Sequence, residues 1–175
     1  MIITQQQHSQ KADVVYVQIK QGRKKMNTPL HLAAHHGSTA IVQLLLKHKA
    51  DPSIQNRSGD IPLHRAVKQA NEEIVETLLK DPKEQLEIRN GEGQTPLFTA
   101  VDGVYGNDEE TQVIVHLLDK KANINAKDSN GKSPLQQAAD NRFNDIVQLL
   151  LSNKADPTPR NDENKDIRQL LGIQA

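Results

Sequence analysis

The histidines are the residues with the most obvious capacity for chemistry in this sequence. His31 and His35 would lie one turn apart on a helix, and His36 follows directly, so their imidazoles could converge on a zinc ion. Zinc proteases of the His-Glu-x-x-His type need a glutamate between the two histidines, and none stands there. The chain also has no cysteine to complete a tetrahedral site. We therefore expect no metal site and no cofactor.

Acid–base and nucleophilic catalysis have no recognisable frame either. The sequence contains no Gly-x-Ser-x-Gly turn and no Gly-rich phosphate loop. Asp108, Glu109 and Glu110 are consecutive, which is more typical of a solvated acidic loop than of a general acid paired with a general base. Two Phe, two Tyr and no Trp are too few aromatic residues for a deep aromatic pocket. The sequence predicts that the protein is not an enzyme.

The charges are unevenly distributed although they sum to zero. Residues 1–59 carry eight Lys or Arg against two Asp or Glu, whereas residues 60–131 carry eight against fourteen. This asymmetry fits a mixed solvated surface and equally fits a surface that orients a charged partner at low salt. The basic run Lys20–Lys25 is interpreted as a solvated turn, because no aromatic residues are interleaved for base stacking. Binding of an anionic surface, nucleic acid or membrane, through this basic end remains the alternative function.

The start of the chain predicts an intracellular protein. Residues 1–8 show no cationic region followed by an apolar run, and no stretch approaches the roughly 20 apolar residues that a membrane span needs. The lack of cysteine suits a reducing compartment. We expect a soluble cytoplasmic protein without an export signal.

Four copies of one phrase dominate the sequence. Their prolines, at positions 29, 62, 96 and 134, are 33, 34 and 38 residues apart. The four copies are Thr28–Ala34, Ile61–Val67, Thr95–Val101 and Ser133–Ala139. Each is followed by an apolar phrase, and these are Ile41–Leu46, Ile74–Leu79, Val113–Leu118 and Ile146–Leu151. The chain is therefore built from four similar units.

Each unit reads as a pair of helices. Thr28, Thr95 and Ser133 offer hydroxyl groups where a helix needs an N-cap, and the proline that follows suits the first helical turn. The second phrase places Ile, Val and Leu three and four residues apart, which makes an apolar stripe. Neither helix can bury its stripe alone, so neighbouring units must stack.

The pattern resembles the ankyrin repeat, whose period is about 33 residues and whose signature begins Thr-Pro-Leu-His. The resemblance implies an all-α solenoid of helix-turn-helix units with short β-hairpin connections. It implies an ankyrin domain at residues 26–172, with units at about 26–59, 60–93, 94–131 and 132–172. Residues 1–25 are expected to be a partly disordered segment with a first hairpin strand, and Asp166–Leu171 a short capping helix.

Two departures from the family pattern stand out. Lys49, Lys121 and Lys154 occupy the left-handed position that usually holds Gly at the end of the second helix. The third unit contains about five extra residues, within residues 103–111, between its two helices. This insertion carries Tyr105 between glycines, so it is either a tolerated loop extension or a mobile anchor for a partner.

The resemblance implies protein binding as the function, with the module acting as adaptor, scaffold or inhibitor. Family members commonly bind through a concave groove formed by the hairpin tips and the exposed sides of the first helices. Carried over by position, the expected contact residues are His35, His36, Arg57, Asp60, Lys68, Gln69, Glu92, Gln94, Asp102, Tyr105, Asn130, Lys132, Asp140 and Asn141. His31 and His64 are instead expected to bond the backbone between units. The chain is also similar to ankyrin proteins of intracellular bacteria, some of which are delivered into host cells, and we expect a monomer.

Overall fold

The computed structural model describes residues 26–80, 85–103 and 108–157, with the backbone alone for residues 108–110. In these ranges it contains eight α-helices arranged as four pairs. The first helices of the pairs are α1 Pro29–His35, α3 Pro62–Lys68, α5 Pro96–Asp102 and α7 Pro134–Asp140. The second helices are α2 Thr39–Lys47, α4 Glu72–Leu78, α6 Asp108–Asp119 and α8 Asn144–Ser152. The predicted all-α solenoid of repeated helix pairs is confirmed.

The first helices begin where the sequence predicts, and for the predicted reason. The hydroxyl oxygens of Thr28, Thr95 and Ser133 accept hydrogen bonds from backbone amides in the first turn of α1, α5 and α7. Ile61 has no hydroxyl group and offers no such cap, but its backbone amide donates to Nδ1 of His64 at 3.2 Å, as the amide of Thr28 does to Nδ1 of His31 at 3.1 Å. The second unit thus retains only the bond to the histidine of the first turn.

The helices form two layers with one core. The first helices contact one another in the order α1, α3, α5, α7, and in the second layer α2 contacts α4, which contacts α6. Leu78, Leu117 and Leu150 are buried in the same apolar cluster, and Leu45 packs against its edge. Small residues such as Ala34 allow close approach in the first layer. These four leucines, one from each second helix, therefore contribute to one core.

Left-handed backbone recurs at two places in the units. Lys49, Lys121 and Lys154 end the second helices with φ of 62°, 71° and 68°, as the sequence predicts. Two further residues were not anticipated: Ala70 and Arg142 adopt φ of 49° and 61° between the helices of their units. Gly37 holds the matching position in the first unit, with φ of 74°, so the register of the repeats contained this signal.

The acidic run of the third unit differs from the expected loop. Helix α6 begins at Asp108, so residues 108–110 form helical backbone and only residues 104–107 of the insertion lie outside the described part. Acidic residues are favoured in the first turn of a helix, which is the physical reason for the difference. The hairpin strand expected within residues 1–25 and the capping helix expected at Asp166–Leu171 lie outside the described residues. No helix within the described ranges is long and apolar enough to cross a lipid bilayer.

Candidate protein-binding surface

The connections between units form three turns of the same construction, here called the turn tips: residues 56–60, 90–94 and 128–132. A side-chain oxygen of Asn56, Asn90 or Asp128 opens each turn by accepting hydrogen bonds from two backbone amides further along. Backbone hydrogen bonds close the first two turns. The amide of Asn56 donates to the carbonyl of Asp60 at 2.8 Å, and the amide of Asn90 donates to the carbonyl of Gln94 at 2.9 Å. The tips are therefore hydrogen-bonded hairpin turns with defined shapes.

Successive tips are also bonded to each other through their backbones. The amide of Gly91 donates to the carbonyl of Ser58 at 2.7 Å, and the amide of Ser129 donates to the carbonyl of Glu92 at 3.0 Å. Gly59 sits at this contact with φ of 75°, and a Cβ added to it would lie 2.5 Å from the nitrogen of Gly91. Glycine is needed there both for the left-handed backbone and for the close approach.

Two long side chains tie the same turns together, and sequence reasoning missed both. Gln55 donates from Nε2 to the carbonyls of Gly59 at 2.8 Å and Arg89 at 2.7 Å. In the next unit, Arg89 donates from Nη1 to the carbonyls of Gly93 and Lys127. Each side chain thus bridges its own turn and the following connection. Their spacing of 34 residues was visible in the repeats, but Gln and Arg were not recognised as serving the same role.

Buried histidines link the helices to the turns in the first two units. The Nδ1 of His31 accepts from the amide of Thr28 at 3.1 Å, so its Nε2 carries the proton and donates to the carbonyl of Asp60 at 2.8 Å. His64 donates in the same way to the carbonyl of Gln94 at 3.1 Å. Burial lowers the pKa of His31 and lowers that of His64 to about 4. These neutral rings confirm the expected structural role.

Asp60 and Gln94, expected among the exposed tip residues, are buried, and that expectation is wrong. The Asp60 carboxylate accepts a hydrogen bond from Nδ2 of Asn90 at 3.3 Å. Its Oδ2 also forms ion pairs with Nη1 of Arg65 at 3.7 Å and with Nζ of Lys68 at 3.9 Å. The Oε1 of Gln94 accepts a hydrogen bond from the hydroxyl group of Thr99. Both side chains turn inward because they hold a tip onto the first helix that follows it. Neither side chain is exposed at the surface.

Other expected contact residues are accessible. His35 and Lys132 are half-buried, and the exposed ones are His36, Arg57, Lys68, Gln69, Glu92, Asp102, Asn130, Asp140 and Asn141. Some of these are held by neighbours. Asp102 accepts from Nε2 of Gln137 at 2.7 Å, which links the third unit to the fourth. Asp140 forms an ion pair with Lys132 at 2.9 Å.

The charge of the surface formed by the turn tips and the exposed ends of the first helices changes along the stack. Arg65 and Lys68 lie at the end of α3 in the second unit, and one buried carboxylate, that of Asp60, faces both. In the third and fourth units the last residues of the first helices are Asp102 and Asp140. The surface is therefore basic near the second unit and acidic at the end of α5 in the third, whereas the charge of Asp140 in the fourth is neutralised by its ion pair with Lys132.

Comparison with known proteins agrees with the geometry. A family model described as three ankyrin repeats matches residues 1–90 and, a second time, residues 81–161. The chain belongs to the ankyrin-repeat family. Neurogenic locus notch homolog protein 1 of Xenopus laevis is 34% identical over 137 residues, which is 78% of this chain and 5% of that protein. Rabankyrin-5 of Mus musculus is 30% identical over 149 residues, which is 85% of this chain and 12% of that protein.

Ankyrin repeats are protein–protein interaction modules. This ankyrin chain spans only a small part of the length of these relatives.

Tyr105, the aromatic residue expected to anchor a partner, lies outside the described residues. In the described ranges, no group of three or more His, Asp or Glu side chains could hold a metal ion. His35 and His36 instead pack ring edge to ring face, with centroids 5.0 Å apart.

Proposed function

We propose that this ankyrin stack binds a protein partner across its turn tips and the exposed ends of its first helices. The observation that carries the proposal is the network that holds the tips: backbone bonds between Ser58 and Gly91 and between Glu92 and Ser129, reinforced by Gln55 and Arg89. A surface fixed before binding loses little conformational freedom when a partner docks. The same bonds also join neighbouring units, so they serve the stability of the stack as well as the proposed binding.

The charges suggest the polarity of the partner. A partner segment carrying acidic groups near Arg65 and Lys68 and basic groups near Asp102 would be complementary to this side. Because these charged side chains are partly exposed at the surface, they should set orientation and association rate more than the final affinity. Tyr105 would add an anchor beside this surface in the same proposal.

The test compares two charge-balanced double variants in affinity capture followed by binding measurements. The tip variant, Arg57→Glu with Glu92→Lys, reverses one charge in each of two turn tips. The control variant, Lys120→Glu with Glu76→Lys, reverses one charge of each sign in the layer of second helices. All four residues are exposed. The proposal predicts that the tip variant loses a partner that the control variant retains. Equal retention by both variants would show that the site lies elsewhere.

Two further arms separate the alternatives. Tyr105→Ala should weaken binding by about 2 kcal/mol if the insertion contributes an anchor, and should be silent if the insertion is an idle extension. Retention on heparin or anionic vesicles that disappears at moderate salt, without a protein partner, would favour the anionic-surface alternative instead.

A further inference from the structure

An apolar face is exposed at the N-terminal end of the described stack. Met26, Leu32, Ile41 and Leu44 are exposed by 62%, 45%, 51% and 55%. Within the described ranges these are the only large hydrophobic residues that are exposed, and all four belong to the first unit. Clustering at one end of the stack distinguishes them from the scattered apolar residues of an ordinary surface.

Comparison with the other units shows that this exposure comes from a missing neighbour. The residues equivalent to Ile41 are Ile74, Val113 and Ile146, and they are exposed by 0%, 1% and 3%. Ile74 lies on α4, which has α2 packed against it, whereas α2 has no described unit before it. The face of the first unit is therefore of the type that a preceding unit covers in a solenoid.

The sequence before Met26 contains a trace of such a unit. Lys11-Ala12-Asp13 repeats the phrase that ends the first and fourth units, at residues 49–51 and 154–156. In both of those units the alanine is buried and the lysine is left-handed. The family model also matches from residue 1 onward, so residues 1–25 fall inside the ankyrin match. The departure is in length, because 17 positions separate Lys11 from Thr28 while 12 separate Lys49 from Ile61.

We propose that residues 11–25 fold back as a partial ankyrin unit onto the apolar face formed by Leu32, Ile41 and Leu44. Val15, Val17 and Ile19 alternate with polar residues and supply one apolar side for this contact. From Met26 back to Val17 is nine residues, which span up to about 30 Å when extended and so reach any residue of the first unit. The contact is intramolecular and caps the stack.

Cross-linking tests the contact in the full chain. Because the sequence has no cysteine, a pair of introduced cysteines is free of background. Val17→Cys with Leu44→Cys should form a disulfide within one molecule at least about tenfold faster than Val17→Cys with Gln43→Cys. Gln43 is the matched control, since it is exposed on the same helix one residue away but points in a different direction. Equal rates for the two pairs would overturn the proposal, and so would a disulfide found mainly between two molecules.

Hydrogen exchange provides a second test without engineered bonds. Val17→Asp should raise the exchange rate of the α2 amides by about tenfold, equivalent to about 1.4 kcal/mol of local stability, and leave α8 unchanged. Gln18→Asp, which adds the same charge on the polar side of the segment, should leave α2 as in the parent. If Val17→Asp does not alter exchange in α2, the segment does not cover this face.

Discussion

The imidazole of His31 links the first unit to the second by donating from Nε2 to the carbonyl oxygen of Asp60, 2.8 Å away. His64 forms the same link from the second unit to the third, through Gln94. Each ring also accepts a hydrogen bond from a backbone amide at Nδ1. Only the neutral ring can accept at Nδ1 while it donates from Nε2. The joints between these units therefore depend on protonation.

Because of these histidines, the free energy of unfolding should decrease as the pH is lowered. The folded pKa of His64 lies at about 4, below its ordinary value of 6.5. The unfolded chain thus takes up a proton between about pH 6.5 and 4 while the folded chain does not, so the stabilisation is complete above 6.5 and is lost as the pH falls. At pH 5, His64 alone should reduce the free energy of unfolding by about 2 kcal/mol, measured by urea titration.

The control for this prediction changes one histidine at a time. Gln136 holds the equivalent position in the fourth unit and accepts from the amide of Ser133 at 2.8 Å, so His64→Gln has a precedent in this fold. We expect His64→Gln to reduce the pH dependence and leave the part that His31 contributes, and the exposed His36→Gln to keep it in full. A parental slope in His64→Gln would mean that the ring is not a buried neutral group.

The glycines of the tips provide a matched pair for testing the contact between turns. Gly59→Ala places a Cβ 2.5 Å from the backbone nitrogen of Gly91, whereas Gly131→Ala, at φ of 79°, meets nothing within 4 Å. Both variants carry the strain of a left-handed alanine, about 1 kcal/mol. Gly59→Ala should cost about 2 to 4 kcal/mol in all, because the backbone contact must also open. Chemical denaturation of the two variants should therefore differ clearly, and equal losses would show that the tips are loosely joined.

The sequence predicted most of the fold because the repeat defines it locally. Thr28 and Ser133 reveal where helices start, and the phrase from Ile146 onward reveals which face is buried. The left-handed lysines followed from their register together with the family pattern, in which Gly usually holds that position. Such features depend on residue type and spacing, so they can be found without any long-range information.

The binding surface was predicted less well because its details depend on contacts between units. Asp60 and Gln94 occupy tip positions that appear solvent-facing in a single unit, yet both are buried by the next helix or turn. Gln55 and Arg89 fill the same role with different side-chain chemistry, which hides their equivalence. Pairing of this kind becomes visible only when the units are stacked.

The core of the last unit should respond strongly to truncation. Leu150 is fully buried in α8, and Leu150→Ala should destabilise the stack by roughly 2 to 5 kcal/mol. Gln148→Ala in the same helix removes an exposed side chain and should change the free energy of unfolding by less than about 0.5 kcal/mol. Similar losses in both variants would contradict a core shared by the fourth unit.

The lysines that end the second helices should be replaceable by glycine with a gain in stability. Lys121 holds φ of 71°, a conformation that costs a residue with a Cβ about 1 kcal/mol relative to glycine. Part of that cost is offset by the favourable position of a cation near a helix C-terminus. Lys121→Gly should therefore stabilise the chain by about 0.5 kcal/mol, measured from the shift in the midpoint of denaturation.

The neighbouring lysine shows whether this gain comes from the backbone. Lys120 is also exposed and follows α6 directly, but it is not among the residues with positive φ. Lys120→Gly removes the same charge from the same helix end and adds only the backbone freedom of glycine, so it should destabilise by about 0.5 to 1 kcal/mol. Opposite signs at adjacent positions would trace the effect to the left-handed backbone. If both substitutions destabilise, the cation at the helix end outweighs the strain, and the recurrence of lysine at positions 49, 121 and 154 reflects that electrostatic gain.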